Sequence, residues 1–142
     1  RLAGMLMDVD GEIYTKLIPP YPQTIFPDEN VMPIGYQATG VIPSGASGAH
    51  LQGAQVQNET GFLPQSAGGS ATTYYTCGLW YLPGATIKWA LVGGNRNNAS
   101  LCGAAAVNLN NPLSNANTSI GAALSILMKL ALHTILLAPW RK

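Results

Sequence analysis

The stretch "ATTYYTCGLWYLPGATIKWALVGG", Ala71 to Gly94, decides the fold, because Tyr74, Tyr75, Trp80, Tyr81 and Trp89 crowd together in it among β-branched and apolar neighbours. Such residues suit a pleated, half-buried surface, so the stretch predicts strands, with Pro83-Gly84 as the turn between them. "IKWALVGG" alternates as a half-buried strand does and ends in a glycine pair, where the backbone must turn sharply or approach something closely.

Toward the carboxyl end follows "NRNNASLCGAAAVNLNNPLSNANTSIG", Asn95 to Gly121, with eight asparagines and Arg96 as its one charge. An asparagine amide competes with backbone hydrogen bonds, which makes the residue a poor occupant of helix or strand interiors and a good one of turns and left-handed backbone. The stretch therefore predicts a loop-built surface. Its amides either hold one another and the backbone in a rigid scaffold or face solvent as adaptable partners for a ligand. Pro112 and the apolar Leu101, Val107 and Ile120 favour a folded segment over an Asn-rich low-complexity tract. The run from Ala122 to Ala138 is almost continuously apolar. Lys129 and His133 fall inside it, a lysine at mid-membrane costs about 2.5 to 3.5 kcal/mol, and Pro139 cuts it short, so a buried closing segment is expected and membrane insertion is not.

Toward the amino end, residues 44–70 are rich in Gly, Ala, Ser and Gln, which predicts loops and a short helix near Ala49 to Gln57. Prolines from Pro19 to Pro43 are spaced too closely for a long helix and predict extended, wrapping chain. "RLAGMLMDVDGEIYT", residues 1–15, reads as a hairpin with Gly11 at positive φ. Asp8, Asp10 and Glu12 also suggest a calcium loop, but the run lacks a third acidic ligand before the glycine and the distal glutamate.

With 142 residues and 47% hydrophobic content the chain has enough for one ordinary core. Only 9% of residues are charged and the net charge is +1, which argues against nucleic acid or an anionic membrane as partner. Low charge with 16 Gly and 10 Pro suits a surface buried against copies of itself, so a homo-oligomer such as a trimer is expected. Cys77 and Cys102 form no C-x-x-C pair and His50 and His133 have no ligand-spaced partner. Free thiols are therefore favoured over a disulfide, and no metal, cofactor or catalytic residue is expected.

"ALVGGNRNNASLCGAAAVNLNNPLSNANTSIGAALS", Ala90 to Ser125, resembles the variable region of target proteins of diversity-generating retroelements. In that family a Gly-Gly pair is followed by a patchy polar run and by a close similar to "NLNNPLSNANTSIGA". The resemblance covers about the last third of the chain together with the aromatic strands before it. It implies an α+β fold, a C-type lectin-like domain of the branch similar to formylglycine-generating enzymes, loop-rich with short antiparallel strands. In that fold the Asn-rich segment is irregular loop leading to a terminal strand through Ile120 to Ser125. The implied division is 1–43 as hairpin and extended Pro/Gly-rich segment and 44–142 as ligand-binding domain, with the variable region over about 90–125.

The same resemblance implies that a reverse transcriptase error-prone at template adenines rewrites asparagine codons, so that a fixed scaffold displays a changing face. The positions matching changeable sites are Asn95, Arg96, Asn97, Asn98, Ser100, Leu101, Cys102, Ala104 and Ala106, with Tyr74, Tyr75 and Trp80 as fixed aromatic anchors beside them. Those matching the frame are Gly93, Gly94, Gly103, Asn108, Asn110, Asn111, Asn115, Asn117, Ile120 and Gly121. Arg96 stands where a large aromatic is common, and Ser119 where asparagine is expected. The implied function is a ligand- or receptor-binding protein, not an enzyme, at a phage tail-fibre tip or on a bacterial surface, recognising a cell-surface protein or glycan. The alternatives are a structural fibre or virion domain without diversification and, further off, a formylglycine-generating-type enzyme with a reactive cysteine pair.

Overall fold

The amino-terminal hairpin forms as its sequence asks. In the computed structural model, which describes residues 2–16, 29–57, 61–70, 72, 77–94 and 96–115, strands β1 (Leu2–Met7) and β2 (Ile13–Lys16) pair antiparallel with Met7 opposite Ile13. The Asp8 carboxylate organises the turn: its Oδ1 accepts the backbone N–H of Asp10 at 3.0 Å and of Glu12 at 2.8 Å, a short-range bond pattern that aspartate makes readily. Gly11 takes a φ of 92° there.

Seven further strands follow: β3 (Tyr36–Ala38), β4 (Ser44–Gly45), β5 (Ala49–Gln57), β6 (Gly61–Ala67), β7 (Gly78–Tyr81), β8 (Lys88–Gly93) and β9 (Gly103–Pro112). They join in one curled sheet of order β3-β2-β1-β8-β9-β7-β5-β6-β4. Among the described residues the helical content is a 3-10 turn over Arg96–Leu101. The expectation of an α+β, C-type lectin-like fold is therefore corrected: the described chain is mostly β.

Two segments fold otherwise than expected. Ala49 to Gln57 is a nine-residue strand, not a helix. Its Ala and Gln favour helix locally, but β6 pairs along its length and β7 along its start, and long-range pairing outweighs a propensity of a few tenths of a kcal/mol per residue. The Asn-rich segment likewise does not stay irregular. Val107 and Leu109 are fully buried and alternate with Asn108 and Asn110, so the apolar pair draws residues 103–112 into β9 while the amides take the other face.

β9 also changes the connectivity expected around Pro83-Gly84. It lies between β7 and β8, parallel to the first and antiparallel to the second, so those two strands form no hairpin. The core is one cluster that takes Met5, Met7, Ile13 and Val41 from early in the chain and Leu51, Leu63, Leu79, Val107 and Leu109 from later. Each such side chain, fully buried, contributes about 1.5 to 3 kcal/mol of transfer free energy. Among the described residues no helix is long and apolar enough to cross a membrane. The apolar run from Ala122 to Ala138 and the expected terminal strand through Ile120 to Ser125 lie outside those residues.

Candidate ligand-display site

β8 and β9 hold a loop at a narrow neck. Gly93 stands opposite Gly103, while the preceding pair is Val92 with Val107. One step along β8 thus corresponds to four along β9, and Ala104, Ala105 and Ala106 fill the difference as a bulge, a device that re-aims side chains at a strand end. The glycine pair works as its sequence suggests: φ is 97° at Gly93 and 71° at Gly94. A Cβ on Gly94 would lie 3.1 Å from Cys102 Sγ and 3.4 Å from Asn98 Oδ1, so both side chains fold over a backbone that only glycine leaves bare.

Within the loop, Ala99 has φ 47° and ψ −121°, a region costly for any residue with a Cβ. The Cys102 N–H donates to the Ala99 carbonyl at 3.1 Å and ties the turn across that residue. The strain sits at the tip of the segment whose side chains reach solvent.

The asparagines beyond the neck form a chain of amides. Asn111 Nδ2 donates to Asn108 Oδ1 and to Asn110 Oδ1, each at 2.8 Å, and Asn111 Oδ1 accepts from Asn115 Nδ2 at 2.6 Å. The Asn110 N–H also donates to Asn108 Oδ1, at 3.0 Å. Glu29 secures the far end, its Oε1 accepting the Ser114 N–H at 2.8 Å and its carbonyl the Ile87 N–H at 2.7 Å. The Trp89 indole N–H donates to the Leu113 carbonyl at 3.0 Å. Four amides expected to serve the scaffold are thus spent on one another and on the backbone.

The residues expected to face a ligand divide differently. Asn97, Ser100 and Ala104 are exposed, and Asn98, Leu101 and Cys102 are half-buried. Ala106 is 1% exposed, so it takes no part in an exposed face. Arg96 opens the 3-10 turn. Asn95, Asn117, Tyr74 and Tyr75 lie outside the described residues.

Trp80, half-buried, stands opposite Asn108 in the β7–β9 pairing. Its six-membered ring occupies the space a side chain at Gly78 would need, with Cζ3 2.6 Å from the Cβ position there, and Nε1 is 3.3 Å from that of Gly48. The indole is therefore seated on the sheet by two glycines. Tyr81 fixes β4 and the turn after it, its hydroxyl donating to the Gly45 carbonyl at 2.6 Å and its N–H to Ser47 Oγ at 2.9 Å.

Chemically the loop offers amides, a hydroxyl and small apolar groups, with Arg96 its one charged residue. That composition suits hydrogen bonding and shape fit to a protein or glycan surface more than capture of a strong anion or cation. Cys77 is buried and Cys102 half-buried, and neither is in a disulfide. Among the described residues no group of three or more His, Cys, Asp and Glu gathers as metal ligands would. Nothing in the sequence signals the role of Glu29 at the end of the amide chain, because its partners Ile87 and Ser114 are remote along the chain and no local pattern announces them. His50, set aside in the sequence for want of a ligand-spaced partner, has its Nε2 buried without a hydrogen-bond partner among the described residues. No protein-family model, no curated protein and no solved structure matches the chain.

Proposed function

We propose that this chain is a ligand-binding display protein. A retroelement rewrites positions between Asn95 and Cys102 and the Ala104 shoulder, while the β-sheet that carries them stays fixed. It works as a homo-oligomer at a phage tail-fibre tip or on a bacterial surface and binds a protein or glycan of a cell. The observation that carries this reading is the split among the asparagines. Asn108, Asn110, Asn111 and Asn115 are bonded into a fixed amide chain, whereas Asn97 and Ser100 sit exposed on a loop outside the sheet. Substitutions in such a loop leave the core contacts intact, which is what a face meant to change requires.

The genetic test is the flanking DNA, expected to hold a near-copy of the segment encoding Gly93 to Ser125, differing at adenines, beside a reverse-transcriptase gene. The protein test is a library randomised at Asn95, Arg96, Asn97, Asn98, Ser100, Leu101 and Ala104. Most members should fold with melting temperatures within a few degrees of the parent and, after selection, bind different ligands. A library in which most members fail to fold would make the loop part of the scaffold and sink the proposal.

A further inference from the structure

The face of the sheet turned away from the core carries a row of side chains outside the display loop. Leu51, Leu79, Val107 and Leu109 belong to the core, and alternation along each strand sends their neighbours His50, Trp80 and Asn108 to the opposite face. The register lines these three up across adjacent strands. His50 stands opposite Gly78, two residues before Trp80 on β7, while Trp80 stands opposite Asn108 and Asn108 opposite Leu91 of β8. All four side chains are half-buried. With strands about 4.8 Å apart, the row from β5 to β9 is about 10 Å across.

Trp80 makes its floor. Both rings of the indole lie over bare backbone, Cζ2 3.0 Å from the Cβ position of Gly78 and Cδ1 3.4 Å from that of Gly48, so one face of the ring rests on the sheet and the other turns away from it. The indole N–H is bonded to nothing among the described residues and, unlike His50 Nε2, is not sealed from water. Beside it, Asn108 Oδ1 is taken by the Asn110 N–H and by Asn111 Nδ2. That fixes which way round the amide sits and leaves Nδ2 as a donor with no acceptor among the described residues. His50 flanks the floor on the β5 side, and its sealed, unbonded Nε2 makes the imidazole a wall.

An uncharged aromatic face packs against apolar C–H groups, and two unmatched N–H donors at its rim need acceptor oxygens. A sugar ring offers both at once, an apolar C–H face and a rim of hydroxyls. A carboxylate or phosphate would ask for a lysine or arginine, and the row has neither. The display loop is close by: Cys77 Cβ lies 3.5 Å from the Cβ position of Gly103 at the neck, and Trp80 is three residues further along β7, about 10 Å.

We propose that Trp80, Asn108 and His50 form a fixed subsite for a neutral sugar. The sugar ring stacks on the indole, and its hydroxyls accept from Trp80 Nε1–H and Asn108 Nδ2–H. The inference rests on the reading of the chain as a ligand-binding protein and gives it a constant contact, a sugar-binding floor that loops of different sequence share.

The isotope-labelled full chain tests this with neutral oligosaccharides of glucose, galactose, mannose and N-acetylglucosamine, read by the indole N–H signals in NMR. The Trp80 signal, identified by its loss in Trp80→Phe, should move saturably with at least one of them at millimolar concentration, while that of Trp89, bonded to the Leu113 carbonyl, stays. Asn108→Asp, which keeps the Oδ1 acceptor and removes the Nδ2 donor, should weaken binding about fivefold. Trp80→Phe, which keeps a ring on the seat without the N–H, should weaken it as much by calorimetry and decides the matter if Asn108→Asp fails to fold. The proposal is overturned if no neutral sugar moves the Trp80 signal, if only sialylated sugars or peptides move it, or if the variants bind as the parent does. A loop library that selects new ligands while the Trp80 signal stays silent would remove the subsite and leave the display function standing.

Discussion

Removing one amide from the chain beyond the neck separates scaffold from display. Asn111→Ala deletes two donated bonds, to Asn108 and Asn110, and one accepted from Asn115. The bonds to Asn108 and Asn115 are part-buried while that to Asn110 is exposed, so water replaces the last at little loss. Two part-buried bonds at about 1 kcal/mol each, plus some desolvation of the abandoned partners, give a cost of about 2 to 3 kcal/mol. In a chain of this size 2 kcal/mol lowers the melting temperature by about 6 to 8 °C. Asn110→Ala, at an exposed position that keeps its backbone bond to Asn108, should cost about 0.5 kcal/mol, and Asn97→Ala in the loop no more than that. Urea melts of the three variants, compared at constant slope, read these values. If Asn97→Ala costs as much as Asn111→Ala, the asparagines are not two populations and the division between a part-buried amide chain and a solvent-exposed loop fails.

Ala99→Gly should stabilise the protein by about 1 kcal/mol, because it relieves a backbone conformation costing about 1 to 3 kcal/mol and returns part of the gain as unfolded-state entropy; a lower melting temperature would contradict the φ of 47°. Gly78→Ala should cost about 1 to 3 kcal/mol and change the near-ultraviolet circular dichroism, since the Trp80 ring must leave its seat; an unchanged spectrum would refute that seat. Burial pushes the Tyr36 phenol above its ordinary 10.0, and burial followed by the Asp8 and Glu12 carboxylates pushes Tyr14 the same way. A raised pKa in the folded state means stability that is complete below pH 10 and lost as pH rises through the folded value. Tyr36→Phe should therefore weaken the fall in stability above pH 10, and identical alkaline melts of parent and variant would refute the effect.

What the sequence disclosed depended on how local the cause was. The hairpin around Asp8 and Gly11 and the bend at Gly93-Gly94 could be read directly, because a side chain two to four residues away or a missing Cβ produces them. The strand character of residues 78–81 and 88–93 followed from aromatic and β-branched residues. Ala49 to Gln57 escaped, because nothing within a nine-residue run in which six are Ala, Gln or Gly reveals a partner strand such as β6. Gly103 to Pro112 escaped for a different reason: asparagine's preference for turns masked the alternation of Val107 and Leu109 with Asn108 and Asn110. At the candidate site the glycine neck and the bonded amides were legible, whereas the burial of Ala106 depends on a register shift between β8 and β9 that no single strand's pattern encodes.

The neck formed by Gly93 and Gly103 has a use in engineering. Because the two residues are already paired across adjacent antiparallel strands, the entropy of bringing the loop's ends together is met by the sheet, and only the added length must be accommodated. Doubling a flexible loop costs about 0.6 kcal/mol, far less than the loss of one buried core side chain. A foreign epitope, a protease site or a second short binding peptide spliced between Gly94 and Cys102 would then be presented at a fixed point with its ends pinned. The same β8–β9 junction could serve as an insertion port for cargo unrelated to any native ligand.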